Sequence, residues 1–122
     1  MGIPEKIFPM HEYSVTRSLV ELCVQEAKAH RLKRVSRVKV MVGKFTNFSP
    51  DSIRFYFDYL KPDTVCAAAD ISFREIPIRI KCRDCGHEST IEEPVFLCPD
   101  CGKSDLEIIS GREFYIESLE GE

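Results

Sequence analysis

The first long hydrophobic pattern in this chain has helical spacing. Between about residues 11 and 30, apolar residues recur at every third or fourth position and leave charged residues on the opposite face. The pattern predicts an amphipathic helix with a buried stripe made of Val15, Leu19, Leu22, Cys23 and Ala27. Because Cys23 lies within this stripe, we interpret it as a buried core thiol and not as a metal ligand.

The next two segments predict a strand and a second helix. Residues 35–44 alternate between apolar and polar side chains, which indicates a half-buried strand. Ser49-Pro50-Asp51 is typical of a helix start, with serine as the N-cap and proline in the first turn. That helix is expected to end near Lys61 and to bury an apolar face made of Ile53, Tyr56, Phe57 and Leu60. Residues 64–69, which include Cys66, follow no clear pattern.

The remaining patterned segments predict strands on both sides of a cysteine-rich stretch. Residues 71–81 read as one strand, with a bulge at Glu75-Ile76 and Pro77 at an edge position. Residues 106–110 and 112–119 predict two strands around a turn at Gly111. The fold class is therefore α+β, with a small mixed β-sheet, two helices and an inserted four-cysteine zinc-ribbon-like module. The predicted divisions are an N-terminal arm (1–9), an α/β domain (10–81 plus 106–120) and a zinc-binding module (82–105).

Two Cys-x-x-Cys pairs define the predicted module. Cys82 with Cys85 and Cys98 with Cys101 are separated by twelve residues, and each pair precedes a glycine that readily adopts positive φ. Two residues between cysteines allow both sulfurs to reach one ion at about 2.3 Å. Four thiolates leave no position for water, so the pattern predicts a closed, structural Zn²⁺ site that supplies the folding free energy of the module. A disulfide pair or a redox dithiol is the alternative interpretation.

Composition and charge restrict the classes of function. The 122 residues carry a formal net charge of −3, which argues against nucleic acid as the main partner. There is no apolar run of about 20 residues and no signal-peptide pattern, and the cysteine spacing favours a reducing cytoplasm. Without a Gly-rich phosphate loop or a nucleophile elbow, the chain is expected not to be an enzyme. A zinc-ribbon module that binds nucleic acid or a transcription partner stays open as the alternative function.

The three histidines differ in what their positions indicate. His30 lies at a basic helix end, where histidine commonly stabilises the terminus. His87 lies two residues after Cys85, so its ring is either a partner of a zinc thiolate, a labile ligand or simply exposed in a loop. His11 stands directly before the first helix and is the most informative of the three.

Met10-His11-Glu12, followed by an amphipathic helix, resembles the opening of the HypA family of hydrogenase nickel-incorporation proteins. The resemblance covers nearly all of residues 10–120. Its further segments are the first strand from Val38, the second helix from Ser49, the four cysteines and a closing strand over residues 111–120.

The resemblance implies a metallochaperone that carries Ni²⁺ to the apo large subunit of nickel–iron hydrogenase, working with the partner GTPase HypB. Some family members also serve urease, which adds urease maturation proteins as partners, and the sequence leaves a homodimer open. The family's nickel site maps here to His11, with Glu12 contributing its backbone or lying alongside. Imidazole and deprotonated amides form fused chelate rings that suit square-planar Ni²⁺. We therefore expect two ions, Zn²⁺ as a structural cofactor and Ni²⁺ as cargo.

The chain departs from the family pattern at its start. In the family the histidine is the second residue, and the free α-amine joins the nickel site. Here nine residues precede Met10, and Pro9 has no N–H to deprotonate. Successive amide nitrogens on the N-terminal side of His11 can therefore bind the ion only as far as Met10. Either the functional chain begins at Met10, or nickel is held without the amine and with His87 or another group completing its coordination.

Overall fold

The elements follow the predicted order, with one strand split in two and one further strand added. The computed structural model describes residues 12–93 and 95–122, so the predicted arm and His11 lie outside the described residues. In chain order the elements are α1 (Glu12–Ala29), β1 (Val35–Gly43), α2 (Pro50–Leu60), β2 (Asp70–Ile76), β3 (Ile78–Cys82), β4 (Glu88–Ile91), β5 (Leu106–Ser110) and β6 (Phe114–Gly121).

The alternating segment predicted as a strand forms the centre of a three-stranded mixed sheet. β1 pairs in parallel with β2 on one side and antiparallel with β6 on the other. Val38, Val40 and Val42 are buried while Arg37 and Lys39 are exposed, so the predicted faces are confirmed. The mixed sheet and two helices confirm the α+β class.

The two helices pack together and cover this sheet, because each has one apolar face. In α1, Val15, Leu19, Cys23 and Ala27 are fully buried, and in α2 the fully buried residues are Ile53 and Phe57. The α2 start is as predicted: the Ser49 hydroxyl accepts a hydrogen bond from the Ser52 amide at 3.3 Å, and Pro50 is the first helical residue. This cap satisfies one of the amides that a helix start leaves without a partner.

The interpretation of residues 71–81 as a single bulged strand is wrong. Pro77 separates β2 from β3, and the two strands belong to different sheets. A second, antiparallel sheet of order β4-β3-β5 contains the cysteine segment. Pro77 cannot donate to a strand ladder, and the change of parity at Ile76 marks the passage between sheets and not a bulge within one. The strands on either side of Gly111 likewise lie in different sheets.

Glycines allow the chain to pass between the sheets at close range. A Cβ atom at Gly43 would overlap the backbone carbonyl of Gly111, whose own φ is +113°. The Phe45 amide donates to the Gly111 carbonyl at 2.8 Å, and the Phe45 ring meets Phe96 edge to face at 6.0 Å. The end of β1 therefore contacts both the connection to β6 and the loop before Cys98.

Strand pairing places two segments of the predicted α/β domain in the second sheet. Residues 78–81 and 106–110, which the sequence interpretation assigned to the α/β domain, pair with each other and with β4 in the second sheet. The division into an arm, an α/β domain and a zinc-binding module stays a prediction.

Candidate metal centre

The two Cys-x-x-Cys-Gly segments adopt the same backbone turn. In the first, the Gly86 amide donates to the Cys82 carbonyl at 2.8 Å, and in the second the Gly102 amide donates to the Cys98 carbonyl at 2.8 Å. Gly86 and Gly102 have φ values of +77° and +76°, a conformation in which L side chains are strained. The sequence therefore folds each pair into a knuckle that directs two thiols to one side.

A second backbone bond closes each knuckle in the same way. The Cys82 amide donates to the carbonyl of His87, and the Cys98 amide donates to the carbonyl of Lys103, in each case five residues further along. The Arg83 amide also donates to the Asp105 carbonyl at 3.0 Å, which ties the first knuckle to the second. Backbone hydrogen bonds thus shape both turns in the same way.

The four predicted zinc ligands come together at one point. Their sulfur atoms all lie within 4.8 Å of one another, with 3.6 Å between Cys82 and Cys101 and 3.6 Å between Cys85 and Cys98. Tetrahedral thiolates bound to zinc at about 2.3 Å are separated by about 3.8 Å. A disulfide requires about 2.05 Å, so the arrangement fits four ligands around one ion and not two cystines.

The environment of Cys98 favours its thiolate, whereas burial and the neighbouring thiols raise the pKa of Cys85 and Cys101. Backbone amides of Cys101 and Asp100 donate to the Cys98 sulfur, and together these bonds outweigh the opposing effect of burial and lower the pKa of Cys98 to about 6. Metal binding requires the deprotonated thiol, so this sulfur is prepared for a cation. Cys82 and Cys98 are buried, whereas Cys85 and Cys101 are exposed at the outer side of the cluster.

The cluster includes neither the two remaining cysteines nor the ring of His87. Cys23 and Cys66 are both fully buried in the α/β core, where their thiols share a hydrogen bond. That bond and burial raise the pKa of Cys23, which keeps it protonated, in agreement with its interpretation as a core thiol. His87 is exposed and contributes its carbonyl to the first knuckle. Among the described residues, the cluster comprises the four knuckle cysteines alone.

Glu12, the predicted neighbour of the nickel ligand, connects the starts of the two helices. It is the first residue of α1, and its half-buried carboxylate accepts a hydrogen bond from the Ser49 amide at 3.3 Å. Thr16 donates to the Glu12 carbonyl at 2.6 Å. His11 lies outside the described residues, and Glu12, which follows it in the sequence, is bonded to the start of α2.

Sequence reasoning missed this bond and the strand β4. Glu12 and Ser49 are 37 residues apart, and no local pattern joins them. Strand β4 has only four residues, Glu88–Ile91, and its single buried residue is Ile91. Within the described part of the chain, none of the helices is long and apolar enough to cross a membrane.

Comparison with known proteins agrees with the fold and the cluster. A family model described as "Hydrogenase/urease nickel incorporation, metallochaperone, hypA" matches residues 10–121. The hydrogenase maturation factor HypA of Caldanaerobacter subterraneus is 40% identical over 114 residues, covering 93% of this chain and all of the relative. The corresponding protein of Moorella thermoacetica is 37% identical over 113 residues, again covering 93% of this chain and all of the relative.

A solved structure shares the arrangement. The solution structure of the Ni metallochaperone HypA from Helicobacter pylori superposes with a TM-score of 0.68 at 28% identity, covering 92% of this chain and 97% of that one. The chain therefore belongs to the HypA family of hydrogenase and urease nickel-incorporation metallochaperones.

Proposed function

We propose that this protein is a nickel metallochaperone that binds Ni²⁺ at His11, holds a structural Zn²⁺ at the four cysteines and helps insert nickel into the apo large subunit of a nickel–iron hydrogenase. The observation that carries the proposal is the family match, which begins at Met10-His11-Glu12 and extends to residue 121. The protein performs no enzymatic turnover in this scheme, and it works in the cytoplasm.

The start of α1 suits a nickel site that uses backbone amides. The first four N–H groups of a helix have no intrahelical acceptor, so deprotonating the Glu12 amide breaks no helical hydrogen bond. The positive end of the helix dipole also stabilises the negative charge of an amidate. Imidazole and amidate nitrogens are ligands that Ni²⁺ favours.

The Glu12 carboxylate has a different task in this proposal. Because it already accepts a hydrogen bond from the Ser49 amide, it holds the start of α1 against the start of α2. Glu12 is then a positioning residue that contributes its backbone nitrogen to nickel.

Zinc at the four cysteines stabilises the second sheet. A complete set of four thiolates leaves no position for a substrate or water, so the site supplies structure and not Lewis-acid chemistry. Nickel is the exchangeable cargo, since protons compete for imidazole and amide nitrogens and allow release. By family resemblance, the partners are the GTPase HypB and the hydrogenase large subunit, with urease maturation proteins as further candidates.

Isothermal titration of the zinc-loaded protein with Ni²⁺ tests this assignment. We expect one nickel per chain, loss of that binding in His11→Ala, and unchanged zinc content in the same variant. Glu12→Gln keeps the backbone amide and an acceptor for Ser49, so it should bind nickel almost as the unchanged protein does. His87→Ala tests the alternative in which this ring completes the coordination.

The effect of residues 1–9 is measured by comparing the full chain with a chain that starts at Met10. Addition of the free amine should tighten nickel binding and change its absorption spectrum. Equal affinity and equal spectra would refute the inference that the amine matters. Retention of the nickel site in His11→Ala would refute the site itself. Tight binding of DNA or RNA without a nickel site would favour the zinc-ribbon alternative.

A further inference from the structure

The second sheet has an open edge at β4. In the strand order β4-β3-β5, β4 pairs with β3 on one side, and among the described strands none pairs with its other side. The backbone N–H and C=O groups that point to that side are therefore available to another chain. The four residues Glu88–Ile91 fall within the usual length of a β-strand, so this edge can pair with a short extended peptide.

A cavity of about 450 Å³ lies along this edge, and we call it the β4 groove. It is lined by three consecutive residues of β4, Ser89–Ile91, and by the segment that leads into the second knuckle, including Val95 and Leu97. Side chains of consecutive strand residues point to opposite faces of a sheet. A cavity lined by three of them in a row therefore lies at the edge of the strand and not on one face.

The wall of the β4 groove opposite the strand is apolar and open. Val95 is 56% exposed and Leu97 is 48% exposed. Two aliphatic side chains beside an open strand edge form a surface to which an apolar side chain of another chain can bind. The volume of the groove lies within the range of ligand cavities, about 300–1,000 Å³, so the groove can enclose such a side chain.

Carboxylates along the β4 groove indicate the charge of what it binds. Glu92 and Glu93 line the cavity, and Glu88 begins the strand. All three are exposed, and the ion pairs between described residues include none of them. A segment with lysine or arginine would complement these charges, whereas an acidic segment would be repelled.

Strand β3 shows which residues the inner side of β4 accepts. From Ile78 to Lys81 its sequence alternates isoleucine with a basic residue. Lys81 lies opposite Glu88, and the Arg79 guanidinium donates to the Thr90 hydroxyl at 2.9 Å. Because β4 presents the same side chains to a strand on its outer side, a strand with the same alternation fits there.

The same charges disfavour a second copy of the chain as the occupant. Antiparallel pairing of two β4 strands about Thr90 would place Glu88 of each copy opposite Glu92 of the other. Like charges directly opposite each other on neighbouring strands are destabilising. Strand β3, which carries the complementary alternation, is already paired with β4 and β5 in its own fold.

We propose that the β4 groove binds an extended segment of a partner protein in which lysine or arginine alternates with aliphatic residues. The segment pairs with the outer edge of β4, its aliphatic side chains contact Val95 and Leu97, and its basic side chains meet the three carboxylates. Because the groove belongs to the second sheet, binding requires this sheet to be folded but does not require nickel.

The probe is a capped eight-residue peptide in which lysine and arginine alternate with isoleucine and valine. Fluorescence anisotropy of the labelled peptide measures its binding to the zinc-loaded full-length protein, and NMR shifts of the protein amides locate the contact. We expect saturable binding of one peptide per chain, with shifts concentrated in residues 88–93 and 95–99. A peptide with its four central backbone nitrogens methylated lacks the donors for strand pairing and should bind at least about tenfold more weakly.

Charge reversal in the groove tests the carboxylates, and reversal elsewhere is the matched control. Glu92→Lys combined with Glu93→Lys should weaken binding at least about tenfold. Glu107→Lys combined with Glu117→Lys makes the same change in net charge on β5 and β6. Strand β5 is two strand spacings, about 10 Å, from β4, so at physiological ionic strength the control should bind within about twofold of the unchanged protein.

Four results would overturn the proposal. They are a peptide that does not bind saturably, equal binding of the methylated peptide, equal weakening in the two charge-reversed variants, and amide shifts at the groove that vanish on dilution together with a dimer seen by sedimentation. The last would assign the groove to a second copy of the chain. Zinc content and far-UV circular dichroism are measured on the same samples and no nickel is added, so failure of this proposal is distinct from failure of either metal site.

Discussion

Removal of zinc should unfold the second sheet and leave the α/β core folded. Of the buried apolar residues in the described part of the chain, sixteen form one cluster around β1, whereas only four lie in the second sheet and its knuckles, namely Ile80, Cys82, Ile91 and Cys98. Two of these four are the proposed ligands themselves. The second sheet therefore has two buried isoleucines as its apolar core.

A comparison of free energies favours the metal over apolar burial as the main source of stability in the second sheet. Two buried isoleucines contribute about 3–6 kcal/mol, at about 1.5–3 kcal/mol each. Structural zinc sites show apparent binding free energies of about 10–16 kcal/mol in peptides at neutral pH. Without zinc, β3, β4 and β5 keep the burial of two isoleucines but lose the larger contribution, the free energy of metal binding. The backbone hydrogen bonds of the knuckles are too few to replace it.

When the second sheet unfolds, the α/β core should lose the contact between Phe45 and Phe96. An edge-to-face ring pair contributes about 0.5–1.5 kcal/mol beyond burial. At 1 kcal/mol, the melting temperature of the α/β core should fall by roughly 4 °C. The melting temperature of the α/β core thus changes by a small, measurable amount, while the second sheet unfolds.

Hydrogen exchange followed by mass spectrometry separates the two regions. In Cys98→Ser, peptides covering residues 78–110 should exchange at the rate of an unfolded chain, while α1 and β1 keep most of their protection. His87→Ala is the matched control, since this exposed residue lies outside the cluster and the variant should keep its zinc. Loss of protection in α1 and β1 together with the second sheet would refute the reasoning, as would a second sheet that stays protected without metal.

Three further predictions follow from individual contacts. Gly43→Ala places a Cβ against the Gly111 carbonyl and should cost about 2 kcal/mol, measured by urea unfolding of the zinc-loaded protein; an unchanged midpoint would contradict the close approach. Ser49→Ala removes the α2 cap and should cost about 1 kcal/mol, which Ser49→Asp should largely restore. Zinc affinity should fall as the pH falls, because protons compete with the ion for the four cysteine thiolates of the unfolded, zinc-free second sheet; chelator competition that gives the same affinity across pH 5–7 would contradict this.

Local patterns predicted the elements of the α/β core well. The alternation in β1 sets its buried face directly, and the Ser49-Pro50 pair specifies the start of α2 through groups that are adjacent in sequence. The knuckles were also predictable, because two residues between cysteines and a following glycine define the turn without help from the rest of the fold. In each case the determining interactions span five residues or fewer.

The arrangement of strands in space was not predictable in the same way. The parity change at Ile76 is compatible with a bulge or with a change of sheet, and only the pairing of β3 with β5, some thirty residues later, distinguishes them. Strand β4 carries one buried side chain, which is too weak a pattern to recognise. The bond from Ser49 to Glu12 arises from helix packing, which local periodicity does not encode.

The path of the chain relates the four-cysteine cluster to the proposed nickel site. The polypeptide enters the second sheet after Pro77 and returns at Gly111, and Phe45 contacts both the returning segment and the loop before Cys98. The proposed zinc ion would therefore hold the second sheet in a fixed relation to the end of β1. The start of α1 is held separately, through Glu12 and the cap of α2. Because the two anchors share no residue, the proposed nickel site can load and release its ion while the zinc site stays closed.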